Sequence, residues 1–367
     1  MRKFLTLTIS FILISLFISP VANSASVVVI TEPTHRLSDG VFFDDQLSFE
    51  LTPAGRLGQL VYLPNQGVRS WQVDPATISE IVAMSNGYGV IDGGVASGQI
   101  IAQQWLAQFI KVSKYTKVSY ITYGNPSAYW ANEISKNQLT YINALSEINL
   151  EAFLGKAIAG SAPISGVQQS LSKPALNIFK YAQRQINLLT TVVGQKELDL
   201  DQLRLMQLLN PNLDSKKLNM LIKDFDNSVT KMRSKLKIKS TKFTVTSENE
   251  ELPITIVNDF DSPVKLKLSS RALNSKVEVA PVEEITVAAN SKQQLLLPIK
   301  VLAPGDSRLL TQLTNLENKP VGYPVYINLK LAVISPVATW ITSAAAILLF
   351  IAALVQSWRR VKRGRNV

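Results

Sequence analysis

The sequence predicts an α+β multidomain chain: an α/β unit, a helical region with a helical hairpin, an antiparallel β-sandwich of immunoglobulin or fibronectin type, and one transmembrane helix. Three observations lead there. Val337 to Ser357 (VATWITSAAAILLFIAALVQS) carries no charge over about the twenty residues that a helix needs to cross roughly 30 Å of hydrocarbon. Short alternating runs separated by turn residues fill the stretch from Thr241 to Ile334, the pattern of a sandwich with seven or eight strands. Upstream, β-branched runs alternate with runs of helical period, the order of an α/β unit. The divisions read as signal 1–24, α/β domain 25–160, helical region 161–240, sandwich 241–334, membrane helix 335–358 and basic tail 359–367.

The N-terminus has the layout of a secretory signal. Arg2 and Lys3 precede the apolar stretch Phe4 to Ile18, and Ala22 and Ser24 stand at signal-peptidase spacing, so cleavage is expected after Ser24. An uncleaved anchor is the alternative. At the other end Arg359, Arg360, Lys362, Arg363 and Arg365 follow the span, and five cations on one flank place the tail in the cytoplasm with everything before the span outside. Trp340 and Trp358 sit where amphipathic rings favour the headgroup layer. A type I, single-pass protein of the cell membrane results.

The formal charge of +11 is no nucleic-acid signature, because two of those charges lie in the signal and five in the tail. Cysteine is absent, which removes disulfides, cysteine nucleophiles and thiolate metal sites. The single histidine, His35, lies in TEPTHRLSDG and reads as solvent-exposed, so no histidine-rich zinc site is expected. No cofactor is implied. The expected partners are the lipid bilayer, cell-wall glycan or envelope-assembly proteins, and not nucleic acid.

Within the α/β part, Val27 to Thr31 reads as a buried strand and Leu47 to Leu51 as a possible strand. Val68 to Val73 alternates as a strand does, and Asp74-Pro75 opens a helix with Ile78, Ile81, Val82 and Ser85 on one side. Asp74 is therefore expected at an N-cap. The glycine-rich NGYGVIDGGVASG lacks phosphate-binding spacing and reads as a connection. Gln99 to Val112 has a helical apolar stripe, and Lys117 to Tyr123 reads as a strand ended by Gly124-Asn125-Pro126. In such units ligands meet the C-terminal strand ends, which here carry Asp74 and Asn125.

From Leu139 the pattern is helical. Ala175, Ile178, Phe179, Ala182, Ile186 and Leu189 form one stripe; Leu218, Leu221, Ile222, Phe225, Val229, Met232 and Leu236 form a second. An antiparallel hairpin packed on the α/β unit accounts for both.

Three places resemble an actinobacterial family of uncharacterised envelope proteins: Trp71-Gln72-Val73-Asp74-Pro75 with Gly87-Tyr88, the TYGNP turn, and LPITIVNDFDSPVKLKL followed by VGYPVYINLKL, the span and the Arg-rich tail. The resemblance implies a type I protein with a partial, barrel-like α/β unit and a membrane-proximal sandwich. It also implies genes near that of a peptidoglycan-precursor flippase, and no established reaction. The α/β part of such proteins is similar to carbohydrate-active barrels, which act through acids at strand ends. Here only Asp74 keeps a carboxylate, Asn125 standing where the second acid is expected, whereas glycoside hydrolysis generally needs two.

Asp74 is the one catalytic candidate, with Trp71, Asp74, Tyr123 and Asn125 as candidate ligand-binding residues and no metal ligand. The favoured function is a non-enzymatic envelope protein with an extracytoplasmic binding or scaffolding ectodomain, linked to cell-wall synthesis. The alternative is a membrane-anchored, carbohydrate-active hydrolase or deacetylase that pairs Asp74 with Asp92 or Glu133.

Overall fold

The structure is a computed structural model that describes residues 26–63, 69–163, 171–239, 242–332 and 336–364; of Asp92, Glu133, Arg360, Lys362 and Arg363 only the backbone is described. The expected signal, Val68 at the start of the expected second strand, and Arg365 lie outside the described residues. Two compact units are present, Met1–Ala182 with Leu200–Asp226, and Gln183–Asp199 with Asn227–Val367.

The first unit is built on three parallel strands in the order β1 (Ser26–Ile30), β2 (Arg69–Val73) and β3 (Lys117–Tyr120). Val28 sits opposite Trp71, and Trp71 opposite Val118. Parallel neighbours require crossovers long enough to hold helices. The first crossover contains α1 (Gln46–Glu50) and α2 (Arg56–Tyr62); the second contains α3 (Pro75–Ser85) and α4 (Gln99–Ser113). Ile30, Trp71, Val73, Ile81, Met84, Trp105 and Phe109 are buried in one core. Residues 159–160 extend the sheet beyond β3: Ala159 N–H donates to Val118 O at 2.7 Å and Tyr120 N–H to Gly160 O at 3.0 Å.

One expected strand is a helix. Leu47 and Leu51 are both buried, one helical turn apart, around α1, and a five-residue apolar run does not by itself separate the two periods. Beyond β3 come α5 (Ala128–Glu133), α6 (Lys136–Leu154), α7 (Lys173–Val193), α8 (Asp199–Gln207) and α9 (Ser215–Ser234). The expected stripes of α7 and α9 are buried at Ala175, Phe179, Ala182, Ile186 and Leu189, and at Leu218, Leu221, Ile222, Phe225, Val229 and Met232. Leu236 does not continue the second stripe. It opens β4 (Leu236–Lys239), which pairs antiparallel with β6 (Asn249–Asn258), so residues read as helical belong to a sheet.

All eight strand runs expected beyond Thr241 are strands: β5 (Phe243–Val245), β6, β7 (Val264–Ala272), β8 (Val277–Val279), β9 (Ile285–Val287), β10 (Ser291–Val301), β11 (Gly305–Thr314) and β12 (Pro320–Leu331). They divide into a four-stranded sheet, β4-β6-β10-β8, and a five-stranded sheet, β5-β12-β11-β7-β9. Alternate residues are buried, as at Val264, Leu266 and Leu268 of β7, which is what a half-solvated antiparallel sheet demands. The turn after β6 is held by Asn258. Its amide donates to Ser262 O and Ala288 O, each at 2.9 Å, and its carbonyl accepts Phe260 N–H at 3.0 Å. The last helix, α10 (Pro336–Gly364), holds the one stretch among the described residues long and apolar enough to cross a membrane, Trp340–Arg359, and its described side chains are exposed.

Candidate functional site at the strand ends

The C-terminal ends of β1, β2 and β3 are where a ligand of an α/β unit would sit. They are formed by Thr31–His35, Asp74 and Ile121–Asn125. Asp74 ends β2 and caps α3: its Oδ1 accepts Ala76 N–H at 2.9 Å, with Pro75 in the first turn where no donor is missed. The same oxygen accepts Gly124 N–H at 2.9 Å from the end of β3. Asp74 is fully buried. Its Oδ2 and the Thr31 hydroxyl make no hydrogen bond of normal geometry among the described residues. Burial pushes the carboxyl up to about 7, against its bonds from Ala76 and Gly124, and the charge of Glu80 pushes the same way.

Glu80 is the second carboxyl of this region; the side chains of Asp92 and Glu133, the acids expected to pair with Asp74, lie outside what the structure describes. It is buried on α3 and accepts the Thr34 hydroxyl, His35 N–H at 2.9 Å and the Gln207 amide at 3.0 Å. Burial raises its carboxyl above the usual range despite His35 beside it. A signal for it exists in the sequence: Glu80 lies three residues after Thr77 and four before Met84, on the buried side of α3.

His35 corrects the sequence reading, for it is wholly buried. Nδ1 lies 2.6 Å from Asp44, Nε2 lies 3.5 Å from Glu32, and the ring stacks on Phe43 with centroids 5.6 Å apart. Burial favours neutral imidazole, yet the bonds to Asp44 and Glu32 and the charge of Glu80 outweigh it and raise the ring to about 9. A buried cation is tolerable when paired, and these acids are what a loop reading leaves out.

Tyr123 and Asn125 are buried as well. Tyr123 N–H donates to Ser146 Oγ at 3.0 Å, and burial raises its phenol above the ordinary value, with Glu80 adding to the shift. Asn125 N–H closes a turn on Thr122 O at 2.8 Å, with Gly124 at φ 77° and Asn125 at φ 49°; positive φ suits Gly and is tolerated by Asn. Trp71 is core: 1% exposed, it meets the edge of Phe109 at 5.5 Å.

The ends of β2 and β3 are buried, at Asp74 and from Ile121 to Asn125. The end of α8 and the residues after it lie over them: Gln207 holds Glu80, Asn210 donates to Gly124 O at 2.9 Å, and Ser127 N–H donates to Leu209 O at 3.0 Å. Gly124 is met so closely that a Cβ there would lie 2.8 Å from the Gln207 backbone. Ser38 pins the same cover, donating to both carboxylate oxygens of Asp224 at 2.7 and 2.9 Å while its carbonyl accepts from Arg204. Between Thr34, Arg204, Gln207 and Asp224 a space of about 20 Å³ remains, room for roughly one water. Two carboxyls shifted upward are a usual sign of acid-base chemistry; here both are buried and accept bonds from the chain's own donors. Among the described residues no group of acids and histidines is arranged to hold a metal.

No curated protein sequence matches the chain. Solved structures show limited likeness. A C. elegans MSP family member, WR4, is 16% identical, with a TM-score of 0.22 over 27% of this chain and 99% of that one. E. coli alpha-2-macroglobulin, from domain MG7 to its C-terminus, is 19% identical, with a TM-score of 0.21 over 26% of this chain and 16% of that one. PapD-like domain 7 of human CEP192 is 18% identical, with a TM-score of 0.21 over 28% of this chain and 86% of that one. A family model described as a family of unknown function (DUF6049) matches residues 135–366, which takes in the cover over the strand ends and leaves out Asp74, Tyr123 and Asn125. The chain belongs to that family of unknown function.

Proposed function

We propose that the chain is a single-pass type I protein of the cell envelope, as in the actinobacterial proteins it resembles, whose extracytoplasmic part binds or scaffolds components of wall synthesis and does not catalyse. The observation that carries this reading is α10, apolar and exposed through Trp340–Arg359, with cations at its C-terminal end. An exposed apolar helix of that length needs a hydrocarbon surrounding, and the cationic flank favours the cytoplasm. On this reading the signal is removed, and the two sheets of the second unit form a membrane-proximal immunoglobulin-like sandwich. The buried ends of β2 and β3 support a binding role over a glycan-processing one, since Asp74 and Glu80 are both occupied by the chain's own donors.

The chain has no cysteine, so an introduced one reports only its own position. With an impermeant maleimide, Glu317→Cys should be labelled on intact cells and Gly364→Cys only after permeabilisation. The reverse pattern would remove the orientation. Turnover of a wall glycan by the purified full chain, lost in a folded Asp74→Asn variant, would remove the non-catalytic reading.

A further inference from the structure

The edge of β7 is only partly paired on one side. β9 pairs with Val264, Lys265 and Leu266, and among the described residues Lys267 to Ala272 have no strand on that side. The opposite side is occupied by β11, which pairs from Lys267 through Ala272. Leu273 N–H donates to Arg308 O at 2.9 Å across that pair. Backbone groups of successive residues point to alternate sides of a strand, so the odd-numbered residues serve β11, and Leu268, Ser270 and Ala272 aim N–H and C=O at the open side. The side chain of Leu268 is buried, and Ser270 Oγ is held by Thr311 at 3.0 Å.

The open side faces a groove, not bulk solvent. From β8 to β9 the chain crosses over as Ala280–Glu284, and this crossover stands off from β7 to leave a groove of about 520 Å³ lined by Lys267, Ser270, Val279, Pro281, Glu283 and Thr314. Pro281 has no N–H and cannot pair with the edge. Thr314 is buried at the groove wall, with a hydroxyl that has no partner among the described residues. Unpaired strand edges ordinarily are covered, bulged, shortened or guarded by charge; this one carries Lys267 and Arg271 on its outward row and is walled by the crossover on its ladder side.

We propose that this groove takes an extended segment of another polypeptide, added as a strand to β7, with acidic residues on its solvent-facing positions. Leu268, Ser270 and Ala272 supply the ladder, the buried row at Leu268 and Thr314 takes the small or apolar side chains of the incoming strand, and the outward row of β7 selects charge. That outward row is Lys265, Lys267, Ser269 and Arg271. The existing neighbour already follows the rule, because Glu284 at the start of β9 lies 3.9 Å from Lys265. Lys267 and Arg271 form no ion pair with a carboxylate among the described residues; Lys267 reaches only Leu316 O, at 3.2 Å. Glu283 stands on the far wall and leaves those two cations for the occupant. A second copy of the chain is the wrong occupant: antiparallel β7–β7 pairing centred on Ser269 would set Lys267 against Arg271, and like charges directly opposite destabilise a sheet.

The inference deepens the binding role proposed above by naming the partner's form, and its test is independent of topology. Full-length protein in lipid nanodiscs is mixed with a nonapeptide alternating Val and Glu, its Val/Lys counterpart, and the Val/Glu peptide N-methylated on alternate amides. The Val/Glu peptide should slow backbone hydrogen exchange over Val264–Ala272 by about tenfold or more, and the methylated peptide should not. Charge reversal at Lys267→Glu with Arg271→Glu should transfer the preference to the Val/Lys peptide. Absence of slowing with every peptide, equal binding of both charge types, or peptide-independent protection with dimer formation each overturns the proposal. Any of these leaves the maleimide result standing, and inverted labelling leaves peptide binding standing.

Discussion

Gly124 donates its backbone N–H to Oδ1 of Asp74 at 2.9 Å, across fifty residues of sequence, so one oxygen holds both the first turn of α3 and the end of β3. Two buried donors depend on it. Asp74→Ala should therefore cost more than an ordinary N-cap loss of about 1 kcal/mol, on the order of 2–4 kcal/mol, since each buried unsatisfied group costs about 1–3 kcal/mol. Asp74→Asn keeps the acceptor and should stay near wild type at pH 7. Thermal melts of the full chain with hydrogen exchange over Pro75–Ser85 would measure both, and equal losses in the two variants would contradict the shared-acceptor geometry.

Gly124→Ala places a Cβ at φ 77° and 2.8 Å from the Gln207 backbone. Both effects act in one direction, so a loss of about 2 kcal/mol or more is expected. Exchange should quicken at Gln207–Leu213 before it does in β1–β3. Unchanged protection of that segment would mean that it does not rest on the turn.

His35 gives the first unit a defined pH response. Its ring titrates near 9 when folded against an ordinary 6.5, so its contribution is complete below pH 6.5 and is lost as pH rises through 9. The size is on the order of 3 kcal/mol. Asp74, raised from 3.8 to about 7, binds a proton in the fold that the unfolded chain has released, so stability also declines from about pH 4 through 7. Glu32 and Asp44 are held low by His35 and, for Glu32, by Arg56, despite their burial; their contributions vanish as pH falls below the usual carboxylate range. Protection of Pro75–Ser113, taken relative to the intrinsic exchange rate at each pH, should be greatest in mild acid. His35→Gln should flatten the limb between pH 7 and 9 and leave the Asp74 limb in place; an unchanged upper limb would exclude His35 as its source.

Asn258 makes bonds to Ser262, Phe260 and Ala288 from a fully buried position. Asn258→Ala removes the partner of Ser262 O and of Phe260 N–H, while Ala288 O keeps the Ser291 hydroxyl at 2.7 Å, and should cost the second unit about 2–4 kcal/mol. Asn258→Asp should be no better, because a carboxylate cannot donate to the carbonyls of Ser262 and Ala288. Exchange over β6 and β7 reports the loss, and an Asp variant as stable as wild type would contradict the donor role.

What the sequence determined by itself is whatever depends on neighbours along the chain. The apolar stretch of α10 follows from about twenty uncharged residues, the strands β5–β12 from alternation between turn residues, and the cap at Asp74 from an oxygen two residues before its donor; each is local and survives without knowing the fold. Where the local pattern was short it misled, as at Leu47 to Leu51, whose burial one turn apart around α1 suits a helix, and at Leu236, whose spacing suits α9 while its backbone pairs with β6. Only the tertiary structure decided the charge state of His35, because the fold buries the ring against Asp44 and Glu32, and Glu80, 45 residues away, adds its charge, turning an exposed-looking loop histidine into a buried cation. It also decided that the ends of β2 and β3 are buried, since Gln207 and Asn210 come from a helix and turn with no local relation to Asp74 or Gly124. The energy of a buried charge depends on which groups surround it in space, and chain order does not encode those distances until the fold has brought them together.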